Sequence, residues 1–246
     1  MTTVNTPMTA KLQKIPGFET TEYAYLRGNI VWAGAQASTH HPRNAFAPWQ
    51  PEKFTFNVDN FREGALMCKC LFNSNQQLEK NTKGLMLWQQ NKDMPFPMNL
   101  SVARFDAINQ ALIGNDLEAF TSAALRVLGL GNGLTPSGDD FVGGIMFALA
   151  HAPRNAWVKD LPKAKARIRN TALVSTNMIS AALLDDMMAG KSYSALHDVL
   201  FALHSNNTTN IISACDKLLN VGASSGADML AGLLLALTTR PKEIAH

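Results

Sequence analysis

The spacing of hydrophobic residues changes along the chain. In the first hundred residues apolar and polar positions tend to alternate, which is the period of a half-buried strand. Tyr23, Tyr25 and Leu26, then Ile30-Val31-Trp32-Ala33, flank Gly28-Asn29 and predict a hairpin. Phe54-Thr55-Phe56-Asn57-Val58 predicts another strand, and Ala65 to Phe72 and Leu85-Met86-Leu87-Trp88 add two more. Met94-Pro95-Phe96-Pro97-Met98 is incompatible with a helix interior and marks a junction. Beyond it the apolar residues recur at helical spacing. Asn99 or Ser101 caps a helix through Ala111, and Asn115 with Glu118 signals another before Leu117 to Leu128. Asp160-Leu161-Pro162 starts a helix whose Lys163, Lys165, Arg167 and Arg169 make a solvated face. Thr171 to Ala189 is apolar all round and reads as a central buried helix ended by Gly190, followed by helices over Tyr193 to His204 and Thr208 to Leu219. The fold class expected is α+β: a β-rich N-terminal portion over residues 1–98, then a mainly α-helical domain over 99–246. Residues 1 to about 15 and those after Arg240 read as loose tails.

Within the helical half one pattern is written twice. Ser137-Gly138-Asp139-Asp140-Phe141-Val142-Gly143-Gly144 recurs as Ser225-Gly226-Ala227-Asp228-Met229-Leu230-Ala231-Gly232, each copy after a helix-like segment and before an apolar run. This is a duplicated helix–Gly-turn–helix unit. The plain reading of each copy is a capping box, Ser137 with Asp140 and Ser225 with Asp228, with Gly144/Ala148 and Gly232/Ala236 letting two helices approach. A cap alone does not require Gly129, Gly131 and Gly133 beside adjacent acids. Glycines before a helix start let a ligand reach bare N–H groups, where the aligned peptide dipoles favour a phosphate or carboxylate.

Composition narrows the classes. A formal net charge of +3 is too small to argue for nucleic acid, and no apolar run approaches the roughly 20 residues that span a bilayer. The start of the chain lacks the apolar core and cleavage site of a secretory signal, which points to the cytoplasm. Cys68, Cys70 and Cys215 are too sparse and odd in number for a disulfide framework, and Cys68-Lys69-Cys70 would place both thiols on one face if strand. In the β-rich portion Arg27, His40, His41 and Arg43 are the polar residues of interest; they read as a solvated loop, with Arg43 as the candidate anion contact. Ser175, Thr176, Asn177 and Ser180 either bond to carbonyls one turn back or line a pocket under the glycine turns.

Gly133-Leu134-Thr135-Pro136-Ser137-Gly138-Asp139-Asp140 with Gly144, and later Gly222, Ser224-Ser225-Gly226-Ala227-Asp228 and Gly232, resemble a bacterial domain-of-unknown-function family. That family includes the small third subunit of oxamate carbamoyltransferase, encoded with enzymes of anaerobic allantoin degradation. The resemblance is close over the helical half, Asn170 to Gly190 included, and loose over the first hundred residues. It implies a carbamoyltransferase complex that moves a carbamoyl group between phosphate and the nitrogen of oxamate, with larger transferase subunits as partners. The relatives carry a histidine at the position of Ala223, so no imidazole role carries over there.

Such chemistry needs a phosphate cradle, donors for a carbonyl oxygen becoming tetrahedral, and a group that exchanges a proton with nitrogen. The candidate assignments are Gly131, Asn132, Gly133, Thr135, Ser137 and Gly138 for the phosphate or oxyanion, and Asp139 or Asp140 for holding the loop or taking the proton. Ser224, Ser225, Gly226 and Asp228 are assigned to the carboxylate end of the other substrate, with Asn177 and Arg43 as further contacts. No cofactor is firmly implied; Mg²⁺ held by Asp139 and Asp140 is the alternative way to meet a phosphate. Two competing readings stand beside this one. The chain is either an accessory subunit whose turns bind partners or, less well supported, a nucleotide-binding enzyme, although Gly131-Asn132-Gly133 lacks the lysine of a phosphate loop.

Overall fold

The computed structural model describes residues 25–27, 30–32 and 57–240. The chain divides into two units, residues 1–52 and 53–246. In the first, β1 (Tyr25–Arg27) and β2 (Ile30–Trp32) pair antiparallel with Leu26 opposite Val31. The Gly28-Asn29 turn, His40, His41, Arg43, residues 54–56 and both tails lie outside the described residues.

In the second unit every regular element described is helical. The helices are α1 (Val58–Ser74), α2 (Gln76–Lys80), α3 (Leu85–Gln89), α4 (Val102–Ile113), α5 (Leu117–Leu125), α6 (Ser137–His151), α7 (Leu161–Ser175), α8 (Met178–Met188), α9 (Ser194–Ser205), α10 (Thr208–Leu219) and α11 (Ser225–Thr238). The expected β-rich portion reaching residue 98 is therefore not what forms. Ala65 to Phe72 lies inside α1, where Phe61, Ala65, Cys68 and Phe72 fall on one buried helical stripe and Asn57 caps the start through the Asp59 and Asn60 amides. Leu85 to Trp88 forms α3 in place of a strand. Both stretches hold consecutive apolar residues, whose local alternation is the same on an edge strand and on a helix buried on more than one side.

Cys68 and Cys70 accordingly point apart, the first buried and the second exposed. Cys68 Sγ meets Cys215 Sγ of α10 at 3.5 Å. The long central helix expected over Thr171 to Ala189 is two helices, because Thr176 turns extended and Asn177 caps α8 through the Ile179 and Ser180 amides. Leu173, Val174 and Met178, expected in the core, are exposed at that break.

At the centre lie α6 and α11, which make the most extensive helix contact of the unit and are buried along nearly their whole lengths. Packing of α8 covers α6 on another side, while α1 and α3 cover α11. The two central backbones approach at one small residue from each copy of the repeat. A Cβ on Gly144 would collide with the Met229 carbonyl, and one on Gly232 with the Phe141 carbonyl, so the contact is reciprocal. Trp88, Phe105 and Phe141 close the adjoining core with ring centroids 5.3–6.1 Å apart.

Because backbone atoms cannot yield as a flexible side chain can, Gly144→Ala and Gly232→Ala are each expected to destabilise the protein by about 1–3 kcal/mol or more. Urea denaturation monitored by circular dichroism checks this; a loss below about 0.5 kcal/mol for both would show that the helices do not pack at these glycines.

Candidate functional site

The two glycine turns end at neighbouring places because α6 and α11 start side by side. In each copy the chain re-enters the helix by the same local device. Leu130 N donates to Val127 O at 3.0 Å and Gly138 N to Leu130 O at 2.8 Å; in the second copy Val221 N donates to Leu218 O at 2.9 Å and Gly226 N to Val221 O at 3.0 Å. Gly138 and Gly226 sit so tightly on the Val127 and Leu218 carbonyls that a Cβ would overlap them. These two glycines are buried packing residues. Gly131, Asn132 and Gly133 belong to the outer part of the first turn, where Asn132 and Gly133 are exposed and Gly131 and Gly133 have φ of +124° and +111°.

The capping boxes do not form. Neither α6 nor α11 has a side-chain cap; Pro136 and Ser224 occupy the cap positions. Ser137 and Ser225 instead turn toward the acid of the other copy. Thr135 Oγ1 lies 2.7 Å from Ser225 Oγ, a hydrogen bond between residues 90 positions apart. The Ser225 and Thr135 hydroxyls act on the Asp140 carboxyl, and the Ser137 and Ser224 hydroxyls on Asp228, which also accepts from Leu85 N at 2.7 Å. Thr135, Ser137, Asp140, Ser224, Ser225 and Asp228, assigned from sequence to two turns, are thus one cluster.

Asp140 and Asp228 are 3% and 0% exposed, and Oδ2 of each is buried without a hydrogen-bond partner. Burial pushes the Asp140 carboxyl up to about 8; the two hydroxyls oppose this and the Asp228 and Asp139 charges add to it. Burial likewise raises Asp228 to about 6, with the Leu85 amide and the Ser137 and Ser224 hydroxyls opposing. The Tyr193 phenol is pushed up to about 12, chiefly by burial and also by the Asp140 charge.

Asp139 has a different job. Its Oδ1 accepts from Gly129 N at 2.7 Å and its Oδ2 from Ser180 Oγ at 2.6 Å, so it ties the first turn to α8. Asn177 adds a second tie, donating from Nδ2 to Leu134 O at 2.8 Å. Of the two alternatives for the polar residues near 175–180, neither back-bonding nor a pocket lining describes Asn177 and Ser180; both fasten the glycine turn. With both oxygens of Asp139 engaged, the adjacent acids do not present a paired set of ligands for Mg²⁺. Among the described residues no three His, Cys, Asp or Glu side chains are grouped to hold a metal. Two surface cavities, one at Phe201 and Ser213 and one at Asn115 and Trp157, are lined by no residue of the turns.

The cluster also draws on residues the sequence reading passed over. Gly84, with φ +54°, lets α3 begin against Asp228 Oδ1, where a Cβ would collide, and Leu85 supplies the amide. Lys83 Nζ reaches Gly222 O at 3.5 Å. The one local signal was a glycine opening the apolar run Leu85-Met86-Leu87-Trp88.

Residues 127–237 match the family model of the oxamate carbamoyltransferase subunit AllH. Over that segment the chain is similar to the AllH family. The match starts at Val127, whose carbonyl seats Gly138, and ends in α11, so it takes in both turns and leaves out α1 to α5. This is the family the serine–glycine–acid motifs resemble. No solved structure matches the chain. No helix among the described residues is long and apolar enough to cross a membrane.

The raised carboxyl makes stability depend on pH in a definite sense. Folded Asp140 keeps its proton to about pH 8, whereas the unfolded chain releases it near the ordinary 3.8. The native state binds more protons through that window, so stability falls as pH rises through it and is fully reduced above the folded value. Asp228 acts in the same direction over a narrower window, up to about 6. Asp140→Asn removes the larger contribution, and its Tm is expected to gain on that of the native protein as pH rises from about 5 to about 8. Parallel Tm–pH curves for the two would show that Asp140 is not held protonated.

Proposed function

We propose that this chain is a subunit of a carbamoyltransferase of the oxamate–carbamoyl phosphate type and that the joined turns bind its small anionic substrates. The observation carrying the reading is the joining of the two copies: Thr135 Oγ1 lies 2.7 Å from Ser225 Oγ, the Ser225 hydroxyl acts on Asp140 and the Ser137 hydroxyl acts on Asp228. A serine and an acid that merely capped their own helix would have no reason to face the other copy.

In the degradative direction an oxygen of phosphate attacks the carbamoyl carbon of oxalurate, the carbonyl oxygen takes up the electron pair, and collapse breaks the C–N bond. The leaving nitrogen needs a proton. Asp140, held protonated near neutral pH, is the donor, and in reverse its carboxylate accepts that proton. A neutral Asp140 lessens the repulsion an anion meets at that acid, since a protonated carboxyl donates to an anion instead of repelling it. The Gly131 to Gly133 turn, exposed at Asn132 and Gly133, forms the phosphate side with Thr135 and Ser137; Ser224 and Ser225 form the side for the other substrate's carboxylate. Asp139 and Asn177 hold the first turn in place.

A second reading has its own support. Leu134, Leu173, Val174 and Met178 are 60%, 65%, 84% and 72% exposed around the first turn, an apolar rim suited to larger transferase subunits. In that reading the turns dock a partner and turnover takes place elsewhere in the complex.

Isothermal titration with inorganic phosphate and with oxamate, each with and without Mg²⁺, tests the first reading. Heat from either anion is expected; none under any condition removes the anion site from this chain. In a complex reconstituted with the larger subunits, Asp140→Asn is expected to lower turnover by roughly 10²-fold or more with assembly intact, whereas lost assembly with normal turnover of the residual complex supports docking.

A further inference from the structure

We propose that the exposed apolar rim of the first turn is where another subunit docks, and that this partner brings a basic side chain to the anion held by the turn. The inference rests on the anion-site reading and adds to it a partner surface. Leu134, Leu173, Val174 and Met178 come from two separated stretches of chain, and the bonds between those stretches join them into one surface. Asn177, which caps α8 just before Met178, donates from Nδ2 to Leu134 O, and Gly129 presses on the Ser175 carbonyl at the end of α7. Asp139 adds its bonds to Gly129 N and Ser180 Oγ. The rim is therefore fixed on the α7–α8 break before a partner arrives, which lowers the ordering cost of docking. Single exposed apolar residues are ordinary, but four large ones around one fixed turn are the pattern of a contact surface.

Charge decides what the partner carries. Residues 127–153 and 170–190, which build the first turn, α6 and the rim, contain no lysine or arginine. The cations of α7 that precede the rim are engaged elsewhere: Lys163 with Asp160, Lys165 with Met188 O, Arg167 with Glu118 and Arg169 with Asp185. Lys83 Nζ lies at Gly222, in the second turn. An anion at the first turn thus meets hydroxyls and peptide N–H groups, but no ammonium or guanidinium from the segments that form it. A second copy does not repair this. In a two-fold contact it would present the same rim, which has no cation to offer. The occupant is instead a different chain, with apolar side chains for the rim and a lysine or arginine at their edge. An uncharged apolar surface suits the core of an interface, where charged residues are depleted, and the basic side chain supplies the charge-assisted hydrogen bonds the turn lacks. The matched family is that of an enzyme subunit, in keeping with such a partner.

The test is analytical ultracentrifugation of the full chain, alone and mixed with the larger transferase subunits. Val174→Glu and Met178→Glu alter the rim; Val58→Glu on α1, which packs against α9, α10 and α11, is the control. Native protein and the control are expected to assemble, and each rim variant to assemble roughly tenfold or more weakly, because docking would bury an unpaired charge. Thermal melts of the chain alone should not change, since Val174 and Met178 are exposed. In isothermal titration the assembled complex is expected to bind inorganic phosphate roughly tenfold or more tightly than the chain alone. Thr135→Val leaves the rim intact and is expected to assemble but to lose that gain. Native-like assembly of both rim variants, or self-association of the chain that they abolish, overturns the inference; so does a gain in phosphate affinity that is absent or that survives Thr135→Val. Each of these leaves the anion site of the chain in place. No heat with phosphate or oxamate from either the chain or the complex overturns the site reading and this inference together.

Discussion

Two helices that touch through glycine can bring their backbones closer than any pair separated by side chains, and α6 and α11 do so reciprocally, Gly144 on Met229 and Gly232 on Phe141. That approach fixes the relative position of everything immediately upstream, because α6 and α11 begin only a few residues before it. The turns that lead into them have no freedom to separate. Thr135 and Ser225 meet at 2.7 Å as a consequence of helix packing a turn or two away. The duplication therefore does more than repeat a motif. It sets one copy against the other, so that the acid in each helix start is met by a serine from its counterpart.

This arrangement concentrates polar chemistry where solvent is absent. Two carboxyls beneath two hydroxyl-rich turns would repel each other and any anion if both were ionised, and burial answers by favouring their neutral forms. The same desolvation that penalises the charge creates an acid able to give up a proton near neutral pH. Their orphaned oxygens are a cost to folding that nothing in the helix packing requires, which is the usual mark of groups arranged for something other than stability.

The supporting residues divide the work in a way that neighbouring letters conceal. Asp139 and Asp140 are adjacent, yet a helix turns by about 100° per residue, so one faces α8 and the other faces the second repeat. Asp139 and Asn177 bind the first glycine turn to α8. On the other side, α3 starts against Asp228 through Gly84 and Leu85. A segment far from either motif in the chain thus completes the cluster.

The duplicated motif, the glycine turns, most helices after residue 99 and the family resemblance were legible in the linear chain, because capping residues, glycines and apolar spacing act over a few neighbours and leave a local trace. The helices of residues 58–89 were not, since Ala65 to Phe72 and Leu85 to Trp88 are uninterrupted enough to fit either period and only their burial against α9, α10 and α11 selects the helix. The break at Thr176-Asn177 was hidden for a similar reason: an apolar stretch on both sides masks the Asn177 cap, whose side chain also donates to Leu134 O in another part of the chain. Ser137, Asp140, Ser225 and Asp228 could be named from sequence as candidates, and their spacing suggested capping boxes. That each acid is served by the opposite copy, that Asp139 is a tie, and that Lys83 and Tyr193 adjoin the cluster were decided by tertiary packing alone, because hydrogen bonds and burial depend on distance in space and a sequence records only distance along the chain.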